Sequence, residues 1–134
     1  MQEPVSVIIP AHNEAATIEA VVRKLRGLPW VDEVVVVDNG STDDTVARIQ
    51  AEPGTIIDHT RLPLGAYEHL MRGYLAQTYG QNRWCLYIDM DEILECEGRA
   101  RQGIQALTRY MTAQGHTAMM AQMLEMFPKA PLAE

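Results

Sequence analysis

The sequence predicts an α/β fold, a mostly parallel sheet with flanking helices. Two observations predict it. Short runs of β-branched residues alternate with longer segments of helical periodicity along the whole chain. That alternation implies βαβ units, a parallel sheet and right-handed crossovers. In addition, residues 84–94 read WCLYIDMDEIL, an apolar run that ends in carboxylates. An apolar run with aromatic and β-branched residues fits a strand buried on both faces. The carboxyl end of such a strand is where open α/β sheets place ligands.

The elements follow in order. Residues 5–10 (VSVIIP) form a first strand closed by proline. Residues 15–26 carry Ile18, Val21, Val22 and Leu25 at i, i+3, i+4 and i+7, one helical face, with Asn13 as candidate N-cap and Gly27 as stop. Residues 32–37 (DEVVVV) form a second strand. Ser41 or Thr42 is the candidate cap of a helix through Gln50, with Asp43 and Asp44 favourable in its first turn. Pro53-Gly54 signals a turn and residues 55–58 a short third strand. Residues 64–79 read as a helix with Leu70, Met71, Tyr74 and Leu75 inward. The strand at Trp84 comes next, then a helix over 99–114 with Ile104, Leu107 and Met111 on one face. A Met-rich extended segment at 118–127 is last.

A chain of 134 residues builds one domain with one core, here taken as 1–134. The net charge of −7 opposes a nucleic-acid surface, which needs a basic stripe. Cys85 and Cys96 make neither a disulfide framework nor a ligand cluster, so a reducing, cytoplasmic setting is the expectation. No 18-residue apolar stretch and no positively charged leader is visible, which predicts neither a membrane span nor a signal peptide.

Three loops follow strands and carry polar residues: 11–14 (AHNE), 38–44 (DNGSTDD) and 89–92 (DMDE). In a parallel sheet all three lie on one edge. Asp38 and Asn39 suit a base or ribose, and Gly40 permits close backbone approach. In extended geometry Asp89 and Asp91 point to the same side and make a hard oxygen site for Mg²⁺ or Mn²⁺.

These three motifs, in this order, resemble family 2 glycosyltransferases, which use the Rossmann-like GT-A fold. Residues 5–14 look like the family's opening, 36–45 like its second nucleotide-binding loop and 86–92 like its Asp-x-Asp strand end. The resemblance implies a nucleoside-diphosphate sugar as donor and a divalent cation as cofactor. The backbone at Pro10 and Ala11, with Asn13 and Glu14, would border the nucleoside. Asp38 would hydrogen-bond the base beside Asn39, Asp89 would touch the ribose or sugar, and Asp91 would bind the cation. The implied reaction is sugar transfer to an acceptor hydroxyl with inversion.

Three departures accompany the resemblance. Asn39 stands where the family usually has a second aspartate. Met71 stands six residues after Gly65, where the family favours asparagine, and a thioether does not replace an amide's hydrogen bonds. About forty residues follow Asp91, so the acceptor half and the general base are expected to be largely missing, and no catalytic base is assigned. An edge or apolar patch left uncovered predicts self-association through 118–127. A non-catalytic sugar-nucleotide-binding module and a nucleotidyltransferase remain as alternatives.

Overall fold

The computed structural model describes residues 3–61, 64–89, 92, 94 and 99–119, with 64–67 and 99–102 described by their main chain. Four strands, β1 (Val5–Ala11), β2 (Glu33–Asp38), β3 (Thr55–His59) and β4 (Trp84–Tyr87), form a parallel sheet among the described residues in the order β3-β2-β1-β4. Four helices connect or flank them: α1 (Ile18–Arg26), α2 (Thr45–Gln50), α3 (Leu64–Tyr79) and α4 (Arg99–Ala113).

The two central strands consist almost wholly of residues that favour a pleated, buried surface. Val34, Val35, Val36 and Val37 are all buried, as are Val5, Val7, Ile8 and Ile9. Alternation then divides them between two layers. Val7, Ile9, Ala11, Val34 and Val36 pack on Ile18 and Val22 of α1 and Ile49 of α2. Ile8, Val35 and Val37 pack on Met71 and Leu75 of α3. The first two crossovers carry the chain from β1 outward to β3. The third, through α3, carries it back past β1 to β4. A reversal of direction under one crossover hand places α3 on the opposite face, as found. It also makes β1 and β4 the topological switch point, the place where open α/β sheets bind ligands at their carboxyl edge.

Tyr79 ends α3 and donates from its hydroxyl to Oδ2 of Asp58 on β3 at 3.0 Å. Burial, with that bond next, pushes its phenol up to about 12, so it stays a donor at neutral pH. At the amino edge the Gln105 carboxamide accepts from the Glu3 amide at 3.1 Å and donates to the Glu3 carbonyl at 3.0 Å. Together with the Trp84 indole, which donates to Thr112 Oγ1 at 3.1 Å, it ties α4 to the sheet.

Several expectations need correction. β4 pairs with β1 alone among the described residues, spans four residues and is half-buried, so it is an edge strand of the described sheet rather than a fully buried one. Only Met71 and Leu75 of the four inward residues predicted for α3 are buried; Leu70 is 57% and Tyr74 51% exposed. Met71 and Leu75 are one i, i+4 stripe, and Leu70 and Tyr74 are a second, one residue or about 100° round the helix. The sheet covers the first alone. α4 is broken at Gly103, whose φ of 67° and ψ of 177° interrupt the helix, although Ile104 and Met111 are buried as expected.

α1 starts later than predicted, at Ile18 behind Thr17, and Asn13 does not cap it. α2 starts at Thr45 behind Asp44, and neither Ser41 nor Thr42 caps it. In both cases the residues between strand and helix are used in the loop itself. No helix among the described residues is long and apolar enough to cross a membrane. Of the Met-rich segment at 118–127, residues 120–127 lie outside the described residues, and so does Cys96.

Candidate functional site

The carboxyl edge of the sheet gathers the three loops. Ala11 and Asp38 are register partners at the ends of β1 and β2, and Asp38 is in turn paired with His59 at the end of β3. The Asn39 amide donates to the Ala11 carbonyl at 2.9 Å, extending the β1–β2 ladder by one bond. On the other side of β1, the Ile88 amide donates to the Ile8 carbonyl at 3.1 Å. That bond carries the β1–β4 pairing to the residue before Asp89. Ala11, Asp38 and Asp89 therefore stand on neighbouring strand ends, as the motif order predicts.

The loops after β1 and β2 are joined by side chain to main chain bonds. Asn13 has a φ of 56°, the left-handed region that asparagine tolerates better than most residues. In that conformation its Oδ1 accepts from the Thr42 amide at 2.8 Å and the Thr42 hydroxyl at 3.3 Å. Its own amide donates to Ser41 Oγ at 3.0 Å. The Glu14 amide donates to the buried Thr45 hydroxyl at 2.8 Å, and that hydroxyl donates to Asp43 Oδ1. The Ala15 amide donates to Asp43 Oδ2 at 3.2 Å. The Thr45 hydroxyl, ahead of the main-chain amides, holds the Asp43 carboxyl below the usual aspartate range.

Asp38 does not stand open at the pocket edge. It is 4% exposed. Its Oδ1 accepts from the Ser41 amide at 3.1 Å and its Oδ2 from the Gly40 amide at 3.3 Å. His59 Nδ1 lies 3.4 Å from Oδ2 and must be the donor, since a carboxylate only accepts. Burial pushes this carboxyl up, but the bonds from Ser41, His59 and Gly40 outweigh it and hold the pKa below its ordinary value. Gly40, with φ of 72°, supplies the backbone turn that brings those amides round.

Asn39 is arranged the other way. Its amide is bound to Ala11 and its carbonyl accepts from His12 Nδ1 at 2.9 Å. Its half-buried side-chain amide makes no hydrogen bond among the described residues. The His12 tautomer follows, with Nδ1 carrying the proton and Nε2 facing the Asn13 amide nitrogen at 3.4 Å.

At the third loop the half-buried Asp89 closes a turn with Glu92. The Asp89 amide donates to Glu92 Oε2 at 3.0 Å, and the Glu92 amide donates to the Asp89 carbonyl at 3.1 Å. Asp91 and Met90 lie outside the described residues. The described residues alone contain no group of three or more histidine, cysteine, aspartate or glutamate side chains placed to hold a metal. Asp89 at the strand end is a hard oxygen donor, and the residue type at 91 is another. That donor chemistry fits Mg²⁺ or Mn²⁺ and does not fit a soft metal. Beside this loop the Arg72 guanidinium of α3 lies 4.5 Å above the ring of Tyr87, and it pairs with Glu68 at 2.5 Å.

His12, His59, Thr45 and Arg72 belong to this neighbourhood and were not singled out from the sequence. The polar density of residues 38–45 marked the second loop, but nothing in the spacing shows that it bonds to residues 12–15. Asp38 ends β2 and Asp89 follows β4 by two residues, while Pro10 and Ala11 end β1 and Asn13 and Glu14 lie in the loop after it.

A family model for glycosyl transferase family 2 matches residues 6–117. The glucosyl-3-phosphoglycerate synthase of Mycobacterium tuberculosis (strain CDC 1551 / Oshkosh) is 39% identical over 97 residues, covering 66% of this chain and 29% of its own. A crystal structure of that synthase from Mycobacterium tuberculosis with phosphoglyceric acid is similar with a TM-score of 0.50 at 33% identity, over 68% of this chain and 34% of that chain. Another, with Mn²⁺ and uridine-diphosphate-glucose, has a TM-score of 0.49 at 33% identity, over 66% and 33%. The chain thus spans about a third of the length of these relatives.

Proposed function

This chain belongs to glycosyl transferase family 2, and from that premise we propose that it binds a nucleoside-diphosphate sugar at the carboxyl edge of the sheet, where β1 and β4 meet, and serves sugar transfer to an acceptor hydroxyl. The observation that carries the proposal is the convergence of three strand ends, Ala11, Asp38 and Asp89, on one edge at the point where strand order reverses. Kinship with a glucosyl-3-phosphoglycerate synthase supports a glucosyl donor and a phosphorylated hydroxy-acid acceptor.

In this reading the main chain at Pro10 and Ala11, with Asn13 and Glu14, borders the nucleoside. The Asn39 carboxamide, fixed by its main chain at both ends, meets the base edge as donor and acceptor. Asp38 works through the loop it holds: its ionised carboxylate fixes Gly40 and Ser41 beside Asn39. Asp89 meets the ribose or sugar, and Asp91 with Asp89 holds the divalent cation. When bound, such a cation neutralises charge on the diphosphate leaving group. The acceptor oxygen attacks the anomeric carbon as the diphosphate departs from the opposite face, inverting the centre, and the hydroxyl proton passes to a base.

Calorimetry with UDP-glucose, with and without Mn²⁺, tests the donor site. The expected result is binding that needs the cation, and release of UDP on adding 3-phosphoglycerate. Binding without release makes the chain a sugar-nucleotide-binding module. No binding of any sugar nucleotide overturns the proposal.

A further inference from the structure

We propose that Arg72 is a diphosphate-binding residue: its guanidinium, seated over Tyr87 at the carboxyl end of β4, takes the phosphate oxygens of the donor. The assignment rests on the donor-site reading above and adds a residue that none of the three motifs contains.

The charge at this edge calls for it. Asp89 and Glu92 are described there and Asp91 follows in sequence, so a diphosphate enters a field of like charge. One divalent cation offsets only part of the summed charge of these carboxylates and a diphosphate, which leaves a role for a cationic side chain. The arginines of the described residues are mostly elsewhere. Arg23 and Arg26 end α1, and Arg83, which pairs with Asp32 at 2.7 Å, precedes β4 at the amino edge. Arg61 follows β3, two strands away from β1. Of these arginines, Arg72 is the one over a ring at the carboxyl end of β4, and that ring, Tyr87, is two residues before Asp89.

The geometry also suits the task. A guanidinium lying on an aromatic face keeps its in-plane N–H fork available for a planar or bidentate acceptor. Its partner Glu68 is an i, i+4 neighbour on the same exposed helix surface, and such pairs are weak. Phosphate oxygens can therefore displace Glu68 with little loss. Tyr87 is influenced by Arg72, Asp89 and Glu68 together: burial first, with Asp89 and Glu68 adding, raises its phenol, and Arg72 opposes them.

The test compares uridine, UMP and UDP binding to the unaltered chain and to Arg72→Gln, Arg72→Lys and Arg61→Gln, by calorimetry with Mg²⁺ present. The expected result for Arg72→Gln is a roughly tenfold loss for UDP with uridine unchanged. Arg72→Lys should recover part of that loss, because it keeps the charge without the fork, and Arg61→Gln should bind as the unaltered chain does. Unaltered protein that prefers UDP to uridine, with Arg72→Gln preferring it equally, overturns the Arg72 assignment alone. Unaltered protein that binds none of the three overturns the donor site, and Arg72's role falls with it.

Discussion

The side-chain oxygen of Asn13 accepts the main-chain amide of Thr42 at 2.8 Å, so a residue after β1 fixes the conformation of the loop after β2. The bond is available only because Asn13 adopts a left-handed backbone. With the Ser41, Asp43 and Thr45 bonds to residues 13–15, it makes the two loops one body before any ligand arrives. Such preorganisation lowers the ordering cost of binding.

Asn13→Ala should therefore cost both stability and affinity. It removes the Thr42 bonds and puts alanine in the left-handed region, a combined loss of about 1–3 kcal/mol. Asn13→Gly keeps the backbone and should lose less. Urea denaturation measures the first quantity and UDP calorimetry the second. Equal stability of all three proteins would show that the loop does not depend on this residue.

Asp38→Asn should destabilise the protein at neutral pH by about 1–3 kcal/mol, since a neutral amide replaces a buried carboxylate that accepts from Gly40, Ser41 and His59. The folded pKa is lowered below the ordinary aspartate value, so this carboxyl binds fewer protons in the folded than in the unfolded chain. Its stabilisation is full above the ordinary aspartate pKa and is lost as pH falls through the lowered one. The gap between the unaltered and Asp38→Asn proteins should then narrow below about pH 4. Denaturation midpoints from pH 3 to 7 check this, and a constant gap would contradict it.

Asp91→Ala should abolish Mn²⁺-dependent binding of UDP without unfolding the chain, because it removes a carboxylate proposed as a cation ligand. Removing one carboxylate from the Asp89, Asp91 and Glu92 group also relieves like-charge repulsion in the metal-free protein. Calorimetry with and without Mn²⁺, beside a thermal melt, separates the two effects. Unchanged affinity would end the metal assignment.

Leu75→Ala and Leu70→Ala should differ sharply although both lie on α3. Leu75 is fully buried against Ile8, Val35 and Val37, and its truncation should cost about 2–5 kcal/mol. Leu70 is exposed, and its truncation should stay within about 0.5 kcal/mol. Chemical denaturation of both variants tests which stripe of the helix meets the sheet.

The parallel sheet, its crossovers and the ends of β1 and β2 were legible to within a residue or so, because runs such as Val34 to Val37 admit few other structures. The face of α3 was less so. Leu70 with Tyr74 and Met71 with Leu75 are equivalent stripes in a sequence, and only the position of β1 and β2 selects between them. Asn13 illustrates a different limit. The same short polar side chain suits a helix cap and a left-handed turn, and the neighbouring loop, distant in sequence, decides. Asp38 was correctly placed at a strand end, but its inward role depends on the turn at Gly40 and on His59, which arrives from β3.

The β1–β4 pairing has a kinetic consequence. Val5 pairs with Trp84, while Val34 pairs with Thr55, so the β1–β4 ladder closes a far longer loop than the β2–β3 ladder does. Loop closure entropy disfavours such a contact until shorter ones are in place. β1, β2 and β3 with α1 and α2 can assemble first, and β4 then docks on a preformed edge. The β1–β4 junction would thus be among the last parts of the described sheet to form during folding and among the first to open on unfolding.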